Sequence, residues 1–263
     1  MSTPAFWRDD ALPFLEARSI VDGRGVCYAK HSHETFSIGA ITGGESTYLN
    51  GRLREHVGAG TVVLMNPGDV HACNPLDRQP WSYRMFHVDS RWLAQVQGCD
   101  AFQPYAAVAS RAPGLFARLE ALYAACTDPA AGALEKHGTA LDFFTVMHDT
   151  LQPAPAAPRP DHQVRHAADY LRAHLAGTPS LDDLCAATGL SPSYLIRAFK
   201  ARYGMTPHAW LVDCRIQYCR EQLRRGRPIA DVALAAGFAD QAHLQRAFKR
   251  HVAATPGQYR KIR

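Results

Sequence analysis

From about residue 13 to residue 88 the chain alternates short apolar and polar positions with a period of two. Phe36, Ile38 and Ala40 alternate with Ser37 and Gly39, and Trp81, Tyr83, Met85 and His87 alternate with Ser82, Arg84, Phe86 and Val88. The run Thr61-Val62-Val63-Leu64-Met65 reads as a buried strand. Turn residues punctuate these stretches at Gly43-Gly44, Asn50-Gly51, Gly58-Ala59-Gly60 and Pro67-Gly68. Short strands between regular turns predict a β-barrel or sandwich. The period then lengthens to that of a helix. Leu115, Leu119 and Leu122 mark one helix over 114–127, and Leu141, Phe144 and Met147 mark a second over 131–151. Two such helices appended to a small barrel are expected to keep an apolar face for a partner, and a homodimer joined there is the expected assembly.

A segment with Pro153, Pro155, Pro158 and Pro160 interrupts the pattern. Prolines at that density make a stiff, extended spacer. The expected division is a barrel domain over 1–152, a Pro-rich linker over 153–161 and a helical domain over 162–263. Val164, Ala168, Leu171 and Leu175 share one helical face beyond the linker. Ser180 fits an N-cap, with Asp183 three residues on. Pro207 opens a longer helix running to about Arg224, and Pro228 restarts the series. The reading is seven helices, the fourth bridging two units.

Those two units repeat one another. Gly-Leu-Ser-Pro-Ser-Tyr-Leu-Ile-Arg-Ala-Phe-Lys runs from Gly189 to Lys200, and Gly-Phe-Ala-Asp-Gln-Ala-His-Leu-Gln-Arg-Ala-Phe-Lys from Gly237 to Lys249. Phe199 and Phe248 lie 49 residues apart, as do Thr206-Pro207 and Thr255-Pro256. The glycines are 48 apart, so the second turn carries one extra residue. A helix, a Gly-containing turn and a basic helix, twice over, predict tandem helix-turn-helix units.

Charge separates the halves in the same way. The net charge is +5, but from His162 onward 16 Lys/Arg stand against 7 Asp/Glu, leaving 13 against 17 before it. A basic half joined to a mildly acidic one points to a polyanion as partner of the C-terminal half alone. Seven cysteines without a C-x-x-C pair fit reduced thiols, with Cys185 as a small core residue. No apolar run reaches the ~18 residues of a membrane helix. The N-terminus lacks the pattern of an export signal, so the expected compartment is the cytoplasm and no membrane partner is expected.

In each basic helix one face is apolar: Leu195 with Phe199, and Leu244 with Phe248. The opposite faces show Ser193, Ile196 and Arg197, then Gln241, Ala242, Gln245 and Arg246. Arginine binds guanine bidentately, Gln binds adenine, and Ala or Ile can touch a thymine methyl, so these residues suit the reading of bases in double-stranded DNA. Lys200, Arg202, Lys249, Arg250 and Arg260 suit phosphates, which position a protein without specifying a sequence.

Residues from about 162 to 262 resemble the DNA-binding domain of the AraC/XylS family of bacterial transcription regulators. The resemblance is carried by Leu181-Asp-Asp-Leu-Cys-Ala-Ala-Thr-Gly189, the Arg215 position, Ile229-Ala-Asp-Val-Ala-Leu-Ala-Ala-Gly-Phe238 and Ala247-Phe-Lys-Arg-His-Val-Ala-Ala-Thr-Pro-Gly-Gln-Tyr-Arg260. It implies two helix-turn-helix units in successive major grooves, RNA polymerase as a partner and activation as the output. It also implies base contacts at Ser193, Ile196, Arg197, Gln241, Gln245 and Arg246. Ile196 departs from the polar residue common at that position, which leaves base reading by the first unit more dependent on Arg197.

The N-terminal half carries His31-Ser32-His33-Glu34, then Asn66-Pro67-Gly68-Asp69-Val70-His71, then Cys73 and Asn74. An H-x-H pair on one strand puts both imidazoles on one face, where a third His would complete a zinc or iron site. The arrangement resembles the motifs of the cupin barrel, specifically the sensor domains of AraC-type regulators. It departs from metal cupins, which carry a Glu about four residues after H-x-H where Ser37 or Ile38 stands here. Cys73 and Glu34 are the candidate replacements. The preferred expectation is that His31, His33 and His71 line an effector pocket walled by Trp81, Tyr83 and Met85. No cofactor is required on that reading, and a divalent metal held by His31, His33 and His71 is the alternative occupant. The expected function is therefore a small-molecule-responsive, sequence-specific transcription regulator. A metal-dependent cupin enzyme and a non-specific architectural DNA-binding protein are the competing classes.

Overall fold

A computed structural model describes residues 4–77, 79–151, 153–154 and 162–260. In the N-terminal half the described strands are β1 (Ala5–Arg8), β2 (Leu15–Ile20), β3 (Phe36–Gly43), β4 (Glu45–Asn50), β5 (Leu53–Gly58), β6 (Val62–Met65), β7 (His71–Pro75), β8 (Ser82–Val88) and β9 (Ala109–Ser110). They pair antiparallel into a six-stranded sheet, ordered β1-β2-β8-β3-β6-β9, and a three-stranded sheet, β5-β4-β7. Helix α1 (Ser90–Val96) follows β8; α2 (Pro113–Thr127) and α3 (Ala133–Thr150) close the half.

The larger sheet is a middle layer, and its period of two sorts side chains between two cores. Phe36, Ile38, Ala40, Val62, Leu64, Phe86 and Val88 pack against Leu115, Leu119 and Leu122 of α2 and Phe143, Phe144 and Met147 of α3. The alternate residues Ile41, Val63, Met65, Tyr83 and Met85 pack against Tyr48, Val57 and Cys73 of the smaller sheet. A strand with both faces covered reads as nearly continuous apolar sequence, which is why Thr61–Met65 showed no alternation. The appended helices meet their barrel with the faces expected to await a partner. Leu141 departs from that expectation: it is 48% exposed, as is Leu134 at 89%, while Phe143 takes the inward place. Strands β1 and β9 and helix α1 were not anticipated; each is too short for a periodic signal to build up.

From His162 onward the described residues form the seven expected helices: α4 (His162–Ala173), α5 (Leu181–Thr188), α6 (Pro192–Tyr203), α7 (Pro207–Arg224), α8 (Ile229–Ala235), α9 (Gln241–Val252) and α10 (Pro256–Arg260). Ser180 caps α5 in a full capping box with Asp183, and Thr206 caps α7 by accepting from the Ala209 amide. Each unit has its own core. Leu195 and Phe199 meet Val164, Ala168, Leu171, Trp210 and Leu211 in the first, with Cys185 partly buried at its edge. Leu244 and Phe248 meet Ile216, Cys219, Val232 and Phe238 in the second. Helix α7 contributes to both cores, as a bridge must. Of the linker, Pro153 bridges to Tyr105 and the Ala154 amide donates to the Pro104 carbonyl at 2.7 Å. Pro155, Pro158 and Pro160 lie outside the described residues. Among the described residues no helix is long and apolar enough to cross a membrane.

Candidate nucleic-acid interface and ligand pocket

In α6 the residues at i and i+4 on one side, Leu195 and Phe199, are fully buried. That rotates Ser193, Ile196, Arg197 and Lys200 outward, and all four are exposed. In α9 the burial of Leu244 and Phe248 exposes Gln241, Ala242, Gln245, Arg246 and Lys249 in the same way. Asp240 caps α9 by accepting from the His243 amide at 2.6 Å, freeing the first turn to face outward. Arg202 and Arg250 are exposed and Arg260 is half-buried. Arg197 folds its Nε back onto the Ser193 carbonyl at 3.2 Å, a local bond that a base edge can replace.

The relative placement of the units rests on Arg215. Its Nε donates to the Leu175 carbonyl at 2.8 Å and its Nη2 to the Gly177 carbonyl at 2.6 Å, so α7 is clamped to the loop between α4 and α5. The same guanidinium lies over Phe238 in the second unit. Gly237 sits in this junction with φ +79, and a Cβ there would stand 2.7 Å from the Leu175 oxygen and 2.9 Å from that of Ala176. Glycine is thus required twice over, for backbone conformation and for space.

In the N-terminal half, His31, His33 and His71 converge as the motifs suggested. The main chains of His31 and His71 bond reciprocally, at 3.1 and 2.9 Å; His71 opens β7, but His31 and His33 lie in the loop before β3 rather than on one strand as expected. One nitrogen from each of the three imidazoles lies within 4.8 Å of the others. Trp81, Tyr83 and Met85 form the wall expected of them, together with Ile41, Val63 and Met65. The room left between these side chains is about 40 Å³. At the ~10–15 Å³ that a water demands, this holds a few waters or a small ion. Cys73 also lines the cavity, but it pairs with Ser46 Oγ at 2.7 Å, and burial pushes its thiol up to about 12. Glu34 is turned away toward the crevice against α7. Among the described residues neither joins the three imidazoles in a common ligand set. Ser37, at that position, instead bonds His87 Nδ1 at 2.9 Å.

His87 is the pocket residue that sequence reasoning passed over, although it continues the Trp81-Tyr83-Met85 alternation. Arg18 and Tyr28 were missed as well. Arg18 bonds the Tyr28 hydroxyl, which meets the Tyr83 hydroxyl at 2.6 Å. Its Nε is buried without a hydrogen-bond partner among the described residues.

Burial disfavours a charge on any of the four imidazoles. His71 is pushed down to about 4 and His87 to about 3, and His31 and His33 fall well below the ordinary imidazole range. Two of them present a defined lone pair. His31 Nδ1 bonds the Ala29 carbonyl at 2.8 Å and His71 Nδ1 bonds the Asp69 carbonyl at 2.9 Å. A carbonyl only accepts, so both protons sit on Nδ1 and each Nε2 is a free donor of electrons. A backbone carbonyl holding the far nitrogen is the support that metal-ligating imidazoles use. The donor set therefore fits a metal ion.

The histidine segment is also where the two halves meet. Asp213, Gln217 and Arg220 lie on one face of α7. The Asp213 carboxylate accepts from the Ser32 hydroxyl at 2.6 Å and from its amide, and Gln217 Nε2 donates to the Ser32 carbonyl at 2.6 Å. Arg220 Nη1 donates to His33 Nδ1 at 2.9 Å. Its Nη2 reaches Glu16 at 3.5 Å, and Arg8 pairs with the same carboxylate at 2.7 Å. Burial would raise Glu16, but the Arg220 and Arg8 guanidiniums outweigh it and hold the carboxyl at about 2. Burial likewise opposes the charge of Arg220, while Tyr259 and Glu16 keep it protonated. No local pattern reveals the contacts that α7 makes with Glu16, Ser32 and His33, whose partners are 181 to 204 residues apart in sequence.

Two family models match the chain: an AraC-like ligand binding domain over residues 16–141 and a helix-turn-helix domain over residues 184–262. An uncharacterized HTH-type transcriptional regulator of Bacillus subtilis, YbfI, is 29% identical over 226 residues, or 82% of this chain and 81% of its own. The arabinose operon regulatory protein of Escherichia coli is 34% identical over 105 residues, which are 39% of this chain and 36% of its own. An apo ToxT variant from Vibrio cholerae has the same fold, with a TM-score of 0.60 over 97% of this chain and 98% of its own at 11% identity.

Proposed function

We propose that this chain, which belongs to the AraC family of transcription regulators, activates transcription at a specific DNA site when a small effector enters its barrel. DNA binding and a small-molecule site are properties of the family's two domains. The finer statements are our reading of the residues. Ser193, Ile196, Arg197, Gln241, Ala242, Gln245 and Arg246 read bases, while Lys200, Arg202, Lys249, Arg250 and Arg260 hold phosphates. His31, His33, His71, Trp81, Tyr83 and Met85 receive the effector, joined by His87 and Arg18. The observation that carries the reading is the docking of α7 on the His31-Ser32-His33 segment. The helix that spaces the two DNA-reading units is thereby bonded to the wall of the pocket, so an occupant that moves this wall acts on both units.

A cytoplasmic regulator that recruits RNA polymerase, and no enzymatic activity, complete the reading. So does a homodimer, for which the outward Leu134 and Leu141 of α3 are the available apolar groups. The boundaries 1–152, 153–161 and 162–263 remain our division of the chain.

Thermal-shift screening of metabolites and metal ions on the full-length protein tests the sensor, with each hit carried into a DNA shift assay. The expected result is a compound or ion that raises the melting temperature and changes affinity for the target site. Regulation that is constitutive, with no occupant found, would remove the sensor from the account.

A further inference from the structure

His33 differs from the two histidines beside it in a way that links the pocket to α7. Arginine has donors only, so the 2.9 Å contact with Arg220 Nη1 makes His33 Nδ1 the acceptor and leaves the ring proton on Nε2. His31 and His71 carry the proton on Nδ1 and offer Nε2. In the docked arrangement, then, two of the three imidazoles are ready to ligate an ion and the third is committed to the DNA-binding half.

We infer that the pocket takes a divalent transition-metal ion on His31, His33 and His71, and that this ion and the docking of Arg220 exclude one another. Suppose that the ion binds His33 through Nε2. The proton must then move to Nδ1, where it faces the Arg220 N–H, donor against donor. Suppose instead that it binds through Nδ1. It then takes the position of the guanidinium itself, and brings a second cation beside a buried one. Both routes expel Arg220 from His33. Three buried nitrogens within 4.8 Å of one another suit zinc or a similar ion with one open position. The remaining room of about 40 Å³ accommodates an ion and its water. Once Arg220 leaves, its pairing with Glu16 loosens as well, and of the hydrogen bonds that join α7 to the histidine segment those of Asp213 and Gln217 to Ser32 remain. The ion thus acts as a wedge between the halves. The inference deepens the regulator reading by naming the effector's chemistry, and it rests on that reading only for its consequence on DNA.

Coupling of this kind is reciprocal, so it can be read from the metal side alone. Full-length protein freed of metal is titrated with Zn²⁺ against a chromophoric chelator, and with Co²⁺ to observe the ligand field. The wild type should take one equivalent, with cobalt absorption of a low-coordinate nitrogen site, and His71→Ala should lose it. Arg220→Gln removes the competitor and should bind the ion at least about tenfold more tightly. Asp213→Asn weakens docking away from the imidazoles and should shift the affinity in the same direction by about threefold; it also serves if the Arg220 variant does not fold. Equal affinity in the wild type and both variants would overturn the exclusion. Failure of the wild type and Arg220→Gln alike to bind either ion would overturn the site. These titrations contain no DNA, so a protein that binds the ion as described but no promoter would contradict the regulator reading and leave this one standing.

Discussion

At the residue scale, two kinds of arginine do different work on one fold. Arg197 and Arg246 stand exposed beside apolar or amide neighbours, and the partner we propose for each planar fork is a guanine edge. Replacing either with Ala is expected to cost about 1–3 kcal/mol on the target site and to relax base preference locally. Lys249→Ala should instead weaken binding to every sequence and lower the salt slope by about one. Equal losses on target and random DNA for Arg246→Ala would contradict the assignment. Arg215 and Arg220 are committed inside the protein, and the glycine beside Arg215 has no substitute. Gly237→Ala combines a left-handed φ of +79 with a Cβ only 2.7 Å from a carbonyl oxygen. It is expected to destabilise the full-length protein by more than about 2 kcal/mol in urea unfolding. A loss under about half a kcal/mol would show that the junction relaxes freely.

At the element scale, helix geometry was the more legible part of the sequence. The repeat marked both units, Pro207 and Arg224 bound α7 at the residues read from the pattern, and the Ser180 cap formed with Asp183 as expected. Those signals are local, since caps, prolines and 3.6-residue periods act within one or two turns. Helix α3 shows the limit of the same reasoning. Its periodicity placed Leu141 inward with Phe144 and Met147; packing against α2 and α1 instead turns Phe143 inward beside them and leaves Leu141 exposed. The length of α7 carries its own expectation. At ~1.5 Å per residue an 18-residue helix spans about 27 Å, and the width of each unit brings the recognition helices to about one DNA turn, ~34 Å, apart. Inserting 5 bp between the two half-sites should therefore abolish tight binding in a shift assay, because the second unit would face the far side of the duplex. Tight binding that survives the insertion would mean that Arg215 does not hold the bridge rigid.

At the scale of the whole molecule, the contacts between the halves were not legible beforehand. The pattern foretold a pocket with three histidines and a DNA-reading half. The pairing of Ser32 with Asp213, His33 with Arg220 and Glu16 with both Arg8 and Arg220 depends on residues brought together only by folding. Glu16 offers a test of that interface. It faces Arg8, Arg220, Tyr259 and His87, and its folded value of about 2 lies below the ordinary 4.5. A depressed carboxylate stabilises the fold above its unfolded value and loses that contribution as pH falls toward its folded one. The stability difference between wild type and Glu16→Gln, of the order of 3 kcal/mol near neutrality, should thus shrink from pH ~4.5 downward. A difference independent of pH between 6 and 3 would show that Glu16 is not held ionised between the halves.

One chain is expected to read a specific DNA sequence with two spaced units. Selection of binding sites from random duplexes by the full-length protein, followed by footprinting on the enriched sequence, tests it directly. The expected result is an enriched motif with two protected major-groove segments about 10 bp apart per protomer, on one face and in a fixed order. No enrichment, with equal protection of any duplex, would contradict it.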